Sequence, residues 1–289
     1  MPQNKTLDPL SLFELLSFEG PDPNDFLQKL ITCDLTPLSS GFARPGALCN
    51  RKGRVLFNFI IFHHNQQPLM LIPVDSATLA LKTLSLYAPF SKINVQRYTS
   101  PWSIGAVEHT APHSIFFNKD IIDAHQFSIS HPAGVLHINF DTAPPSKNNE
   151  DAQGMSDAQW ALQLIKNNCV TILPATSGLF PPHFIQLTDY DGVSFNKGCY
   201  IGQEIVARMQ HLGTIKTHLH QITCSGTTPL SPGDMVTTDR EQACGHILNA
   251  SKDGEINIAL AAIEDRALDG KPLFCKGNTI SFHSNRARL

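Results

Sequence analysis

The densest chemistry in the chain lies at residues 196–206, "NKGCYIGQEIV", where a lysine, a cysteine, a glutamine and a glutamate alternate with two glycines. Ile201, Ile205, Met209 and Leu212 follow at i, i+4, i+8 and i+11, the apolar stripe of a helix. Gly213 stands where a left-handed residue would end that helix. Glu204 and Arg208 are spaced as an exposed i, i+4 ion pair. The pattern predicts Cys199 just before, or in, the first turn. Unpaired N–H groups and the positive end of the helix dipole favour an anion there, and Lys197 adds a cation. Both favour the thiolate, which a nucleophile, a metal ligand or a redox thiol requires. Gly198 and Gly202 let a second backbone or a ligand approach the sulfur. The same spacing is equally compatible with packing alone: Lys197 snorkels, Gly198 turns the chain, Cys199 fills a gap and Gln203–Glu204 begin a helix.

The elements that must position this span are legible in outline. "GPDPND" predicts a helix capped by Asp22, with Pro23 in its first turn and Phe26, Leu27, Leu30 and Ile31 on one face. "GALCNRKGRVLFNFIIFHHNQQPLMLIPV" predicts an antiparallel meander with a turn at "NRKGR". "DSATLALKTLSLY" predicts a helix capped by Asp75 or Ser76, and "INVQRY" and "WSIGAVEH" predict strands. This order is α+β. The polar stretch at 141–157 predicts a long loop or subdomain joint, and Ser156 with Gln159 forms a capping box before a helix that carries Trp160 and Leu164 on one face. Beyond Gly213, short strands ("THLHQITC", "DMVTT", "ACGHILNA", "EINIALAAI", "NTISFH") separated by "SPGD", "KDGE" and "DGKPLFCKGN" predict a small antiparallel barrel. The division expected is 1–213 and 214–289.

Composition narrows the function classes. Of 289 residues, 42% are hydrophobic and 16% charged, with a net charge of −3, which provides no global basic field for nucleic acid or anionic lipid. The N-terminal stretch does not read as a signal peptide, and "VLFNFIIF" falls far short of the ~20 apolar residues a membrane span needs, so a cytoplasmic protein is expected. The seven cysteines are odd in number, irregularly spaced and without a C-x-x-C pair, which predicts reduced thiols, mostly buried.

"GVSFNKGCYIGQEIVAR" resembles the signature of the YgfZ family of folate-binding proteins, with its lysine–glycine–cysteine–aromatic–x–glycine–glutamine–glutamate core. "FLQKLITCDLTPL", "GALCNRKGRVLFNF" and "QWALQLIKNNCVTILPATSGLFPP" agree in order, and the resemblance spans roughly residues 8–280. It implies the fold of the glycine cleavage system T protein: two interleaved α+β subdomains and a C-terminal barrel around a hole that holds tetrahydrofolate. The implied role is support of iron–sulfur enzymes, including those of tRNA modification, with folate as cofactor and such enzymes or their assembly proteins as partners. Carried over by position, Cys199 is the functional thiol with Lys197 beside it. Trp160, Phe13, Tyr200, Gln203 and Glu204 are the implied folate-binding residues, and Gly198, Gly202 and Arg208 shape the motif. Flat aromatic faces suit a pterin or aminobenzoyl ring. Arg44, Arg51, Lys52 and Arg54 are candidates for the glutamate tail by charge alone.

Two departures stand out. T proteins carry paired aspartates where this chain has Phe57 and Asn58, and neither replacement can act as a carboxylate. Where related chains commonly have an acidic residue and a glycine, Lys166 and Asn168 stand here, a charge reversal expected to bear on an anionic ligand. The alternative reading is a folate-dependent aminomethyl or one-carbon transferase related to T protein. A cysteine hydrolase, a zinc site at His218 and His220 or at His63–His64, and direct RNA binding find little support in spacing or charge. No metal, membrane or nucleic-acid partner is expected.

Overall fold

The structure, a computed structural model, describes residues 6–109, 117–146, 153–212, 216–224 and 228–282. Strand β1 (Phe13–Glu19) leads to α1 (Pro23–Gln28), then to the meander β2 (Arg44–Cys49), β3 (Val55–His64) and β4 (Gln67–Pro73). After α2 (Val74–Ser85) and the short α3 (Ala88–Ser91), β5 (Asn94–Arg97) completes a five-stranded antiparallel sheet of order β2-β3-β4-β1-β5. β6 (Ser103–Val107), β7 (Lys119–Ile121), β8 (Gln126–His131) and β9 (Gly134–Asn139) form a second sheet of order β6-β9-β8-β7. Helices α4 (Asp157–Lys166) and α5 (Gln203–Leu212) precede the C-terminal strands. Those are β10 (Thr217–Cys224), β11 (Met235–Thr238), β12 (Ala243–Asp253), β13 (Ile256–Glu264), β14 (Leu273–Cys275) and β15 (Asn278–Phe282). They close into an antiparallel barrel through the β10–β15 pairing.

The subdomains interleave along the chain. Leu7 and Leu10 donate backbone hydrogen bonds to Pro145 and Ile104 of the second subdomain before β1 enters the first sheet. Residues 178–194 later return to the first, where Gly178 and Phe180 pair with Val55 and Ser194 N–H reaches the Thr32 carbonyl. Strand alternation on β3 explains how one element serves two layers. Phe57, Phe59 and Ile61 pack with α1 and α2, while Ile60 and Phe62 pack against Phe127, Ile129 and Trp160 on the side of the second sheet.

Local signals set several elements as read. The Asp22 carboxylate caps α1 at Asp25 N–H, and Ser156 and Gln159 form the capping box of α4. Other expectations are corrected. α2 begins at Val74 behind Pro73 with no side-chain cap, and the Ser76 hydroxyl instead donates to the Ile172 carbonyl at 2.9 Å. Ile201 precedes α5, and among the described side chains of that helix Val206 is the fully buried one, where the β2–β3 turn packs Gly53 against Ile205 and Val206. "DGKPLFCKGN" contains strand β14 as well as turns. Gly213, expected to end α5, lies outside the described residues, as do 147–152 of the expected joint and residues 283–289. Among the described residues, no helix is long and apolar enough to cross a membrane.

Candidate functional site: a thiol groove and an aromatic cavity

The motif loop is held from its N-terminal side by the residues after α1. The Thr32 hydroxyl donates to the Gly192 carbonyl at 2.6 Å. Lys197 Nζ donates to the carbonyls of Ile31 and Cys33, each at 2.8 Å, and lies 5.2 Å from the centre of the Tyr200 ring. Burial pulls the half-buried ammonium down to about 8, partly offset by the nearby Asp34 carboxylate. Lys197 thus braces the 31–33 segment through its hydrogen bonds, beside the buried Cys33 thiol, which desolvation pushes up to about 12.

From the other side the loop is held by glycines. Gly202 (φ +81°) abuts Asn50 and Gly53 so closely that a Cβ would lie 2.5 Å from the Asn50 carbonyl oxygen. Gly53 (φ +67°) faces Ile205 and Val206 in turn. Cys199 belongs to no helix or strand; it lies four residues ahead of α5, outside its first turn, and it is exposed. It borders a groove of about 660 Å³ together with Arg51, Tyr87, Tyr200, Gln203 and Glu204. Gly198 beside it has open space where a Cβ would stand, so no close approach requires a glycine there. Glu204 and Arg208 pair at 3.4 Å on the exposed face of α5. Tyr200 is buried with its hydroxyl unpartnered, and desolvation raises its pKa.

Phe13 and Trp160 meet elsewhere, edge to face with ring centres 6.3 Å apart. They line two neighbouring chambers of about 90 and 150 Å³, both of which also touch Leu164 and Thr171. Trp160 is 1% exposed and its Nε1–H has no partner. His131 lies 5.2 Å from Trp160, ring centre to ring centre, on the smaller chamber. Its Nδ1 accepts the Ala133 N–H at 3.1 Å, and burial holds the ring at about 3, so it is a neutral imidazole with its proton on Nε2. Asn58, Asn168 and Cys169 also border this chamber. Burial pushes the Cys169 thiol up to about 12.

Of the residues singled out in sequence, Cys199, Tyr200, Gln203 and Glu204 come together at the groove, and Phe13 and Trp160 come together at the aromatic cavity. Neither the thiol nor Lys197 borders the aromatic chambers. Among the four cations considered for a glutamate tail, Arg51 borders the thiol groove, Arg54 donates to the Leu179 carbonyl at 3.0 Å, and Arg44 stands 3.9 Å from Asp191. Lys52 is an exposed turn residue. Lys166 reaches Asp253 of the barrel at 2.8 Å, so its charge is directed away from the cavity. Nothing local in "SISHPAGV" distinguishes His131, a cavity imidazole, from a strand-end histidine. Among the described residues, no three His, Cys, Asp or Glu side chains gather as a metal site. His218 instead lies 2.7 Å from Asp265.

No protein-family profile matches the chain. It is 26% identical to tRNA-modifying protein YgfZ of Vibrio atlanticus (strain LGP32) over 264 residues, covering 86% of this chain and 81% of that one. It is 27% identical to the protein of the same name from Sodalis glossinidius over 285 residues, covering 91% and 87%. Among solved structures, glycine cleavage system aminomethyltransferase T from Bartonella henselae superposes with a TM-score of 0.60 at 15% identity, over 94% of this chain and 83% of that one. The chain is thus similar over most of its length to proteins named tRNA-modifying protein YgfZ, and it has the fold of aminomethyltransferase T.

Proposed function

We propose that the protein binds a reduced folate and supports the assembly or repair of iron–sulfur enzymes, including those that modify tRNA, with Cys199 as its working thiol. The single observation that carries this reading is the separation of an exposed, motif-borne sulfur from a partly open cavity lined by Phe13 and Trp160. Phe13 and Trp160 offer faces and edges to a flat ring, and burial in such a site contributes more than area alone. The unpartnered Trp160 Nε1–H and the neutral His131 are donors suited to a pterin's carbonyl and ring nitrogens. The resemblance to YgfZ proteins supports the link to tRNA modification. Partners would approach the groove at Cys199 without entering the cavity. The domain division at 213/214 and the cytoplasmic location belong to the same proposal.

A folate-dependent one-carbon transfer is the second reading, favoured by the T-protein fold alone. Phe57 is fully buried and Asn58 is an amide, so neither supplies the carboxylate that such transfer would use.

Titration with tetrahydrofolate, followed by calorimetry and tryptophan fluorescence, tests the reading. Trp160→Ala would remove a fully buried indole and cost about 3–5 kcal/mol of stability, so Trp160→Phe is the informative variant. Trp160→Phe is expected to bind about tenfold more weakly through loss of one donor, and Cys199→Ala to bind as wild type while failing to restore iron–sulfur enzyme activity in cells. Absence of any heat with wild type, or full complementation by Cys199→Ala, overturns the corresponding half.

A further inference from the structure

Residues 169–173 belong to no helix or strand, yet they wall both aromatic chambers. The peptide groups of such a segment need partners, because burying them unpaired is costly. Two asparagines supply them from opposite sides. Asn58 of β3 donates from Nδ2 to the Val170 carbonyl at 2.7 Å, and its Oδ1 accepts the Ile172 N–H at 2.8 Å. Asn249 of β12 donates from Nδ2 to the Thr171 carbonyl at 2.9 Å, and its Oδ1 accepts the Thr171 N–H, also at 2.9 Å. Each carboxamide thereby stands in for a strand neighbour. Asn249 sits where the β12–β13 register shifts, a device that re-aims a side chain. A neutral amide offers a donor and an acceptor together; an ionised acid in its place has acceptors only.

We propose that Asn58 and Asn249 are paired positioning residues. They grip residues 170–172 between the five-stranded sheet and the barrel, and so set the opening of the chambers for the flat ring of the proposed function, on which this inference rests. The amide at position 58 is then a requirement of this chain's cavity, beyond being the loss of a carboxylate.

The test uses the full chain and 5-formyltetrahydrofolate as probe. Asn58→Asp keeps the shape but turns an acceptor onto the Val170 carbonyl oxygen, which is expected to weaken binding about tenfold at neutral pH. Crowding against that carbonyl raises the new carboxyl's pKa, and its protonated form can donate again. Affinity should therefore return toward the wild-type value, measured at each pH, as the pH falls to about 5. Unchanged affinity at neutral pH, or a weakening with no recovery in acid, overturns the proposal. Amide exchange gives a readout without ligand. Asn58→Ala should speed exchange at Ile172, and Asn249→Ala at Thr171, each about tenfold, with the barrel amides unchanged. Unaltered rates at those two amides overturn the grip, whereas a wild-type protein that binds no folate but shows both accelerations removes the ligand reading alone.

Discussion

Gly202 and Gly53 meet backbone to backbone: a Cβ on Gly202 would lie 3.0 Å from the Gly53 Cα, and 2.5 Å from the Asn50 carbonyl oxygen. The β2–β3 turn is thereby the floor on which the motif loop enters α5. Gly202→Ala adds left-handed strain to this clash and is expected to cost about 2 kcal/mol or more. Gly198→Ala meets open space and should stay within about 0.5 kcal/mol of wild type. Urea unfolding of the two variants side by side checks the contrast, and equal midpoints would show that the floor yields freely.

Cys199 is exposed, Cys169 is half-buried, and Cys33, Cys49, Cys224, Cys244 and Cys275 are buried. Alkylation of the native protein should therefore show one fast thiol, lost in Cys199→Ala, with the others reacting only on unfolding. Peptide mapping after a short iodoacetamide pulse identifies it. Fast labelling at Cys224 or Cys275 would contradict the barrel packing.

His131 is held neutral, chiefly by burial and then by His109, with a pKa near 3 against an ordinary 6.5. Between those values the unfolded chain binds a proton that the folded chain refuses. The stability contributed by the neutral ring is complete above pH 6.5 and declines as the pH falls, with a limiting slope of about 1.4 kcal/mol per pH unit. His137, lowered to about 4 by burial, acts with the same sign. His131→Gln should flatten the dependence of unfolding free energy between pH 6.5 and about 5 relative to wild type. Parallel curves would mean that the ring is not buried in its neutral form.

Much of the frame was legible because its signals are short-range. The Asp22 cap, the Ser156–Gln159 box, the Glu204–Arg208 pair and the β2–β4 meander each depend on residues a few positions apart or on alternation within one strand. β1 hid within "LSLFELLSF", whose partners β4 and β5 are remote in sequence and whose apolar run fits a helix as well as a strand. The second sheet beyond β6 is hidden in the sequence for a similar reason. Its strands are short, and "NKDIIDAHQFSISHPAGVLHIN" mixes charge with apolar residues without clean alternation.

By itself, the sequence determined the α+β order, the C-terminal barrel, the resemblance to YgfZ proteins and the motif in which Cys199 stands, all carried by residue type and near spacing. Only the tertiary structure decided that Lys197 spends its hydrogen bonds on the carbonyls of Ile31 and Cys33, that the thiol borders a groove distinct from the Phe13–Trp160 cavity, and that Asn58 and Asn249 hold the cavity wall from two sides. These contacts join residues far apart in the chain. Periodicity says which face of an element is apolar; only packing of one element on another says which backbone groups that face will meet.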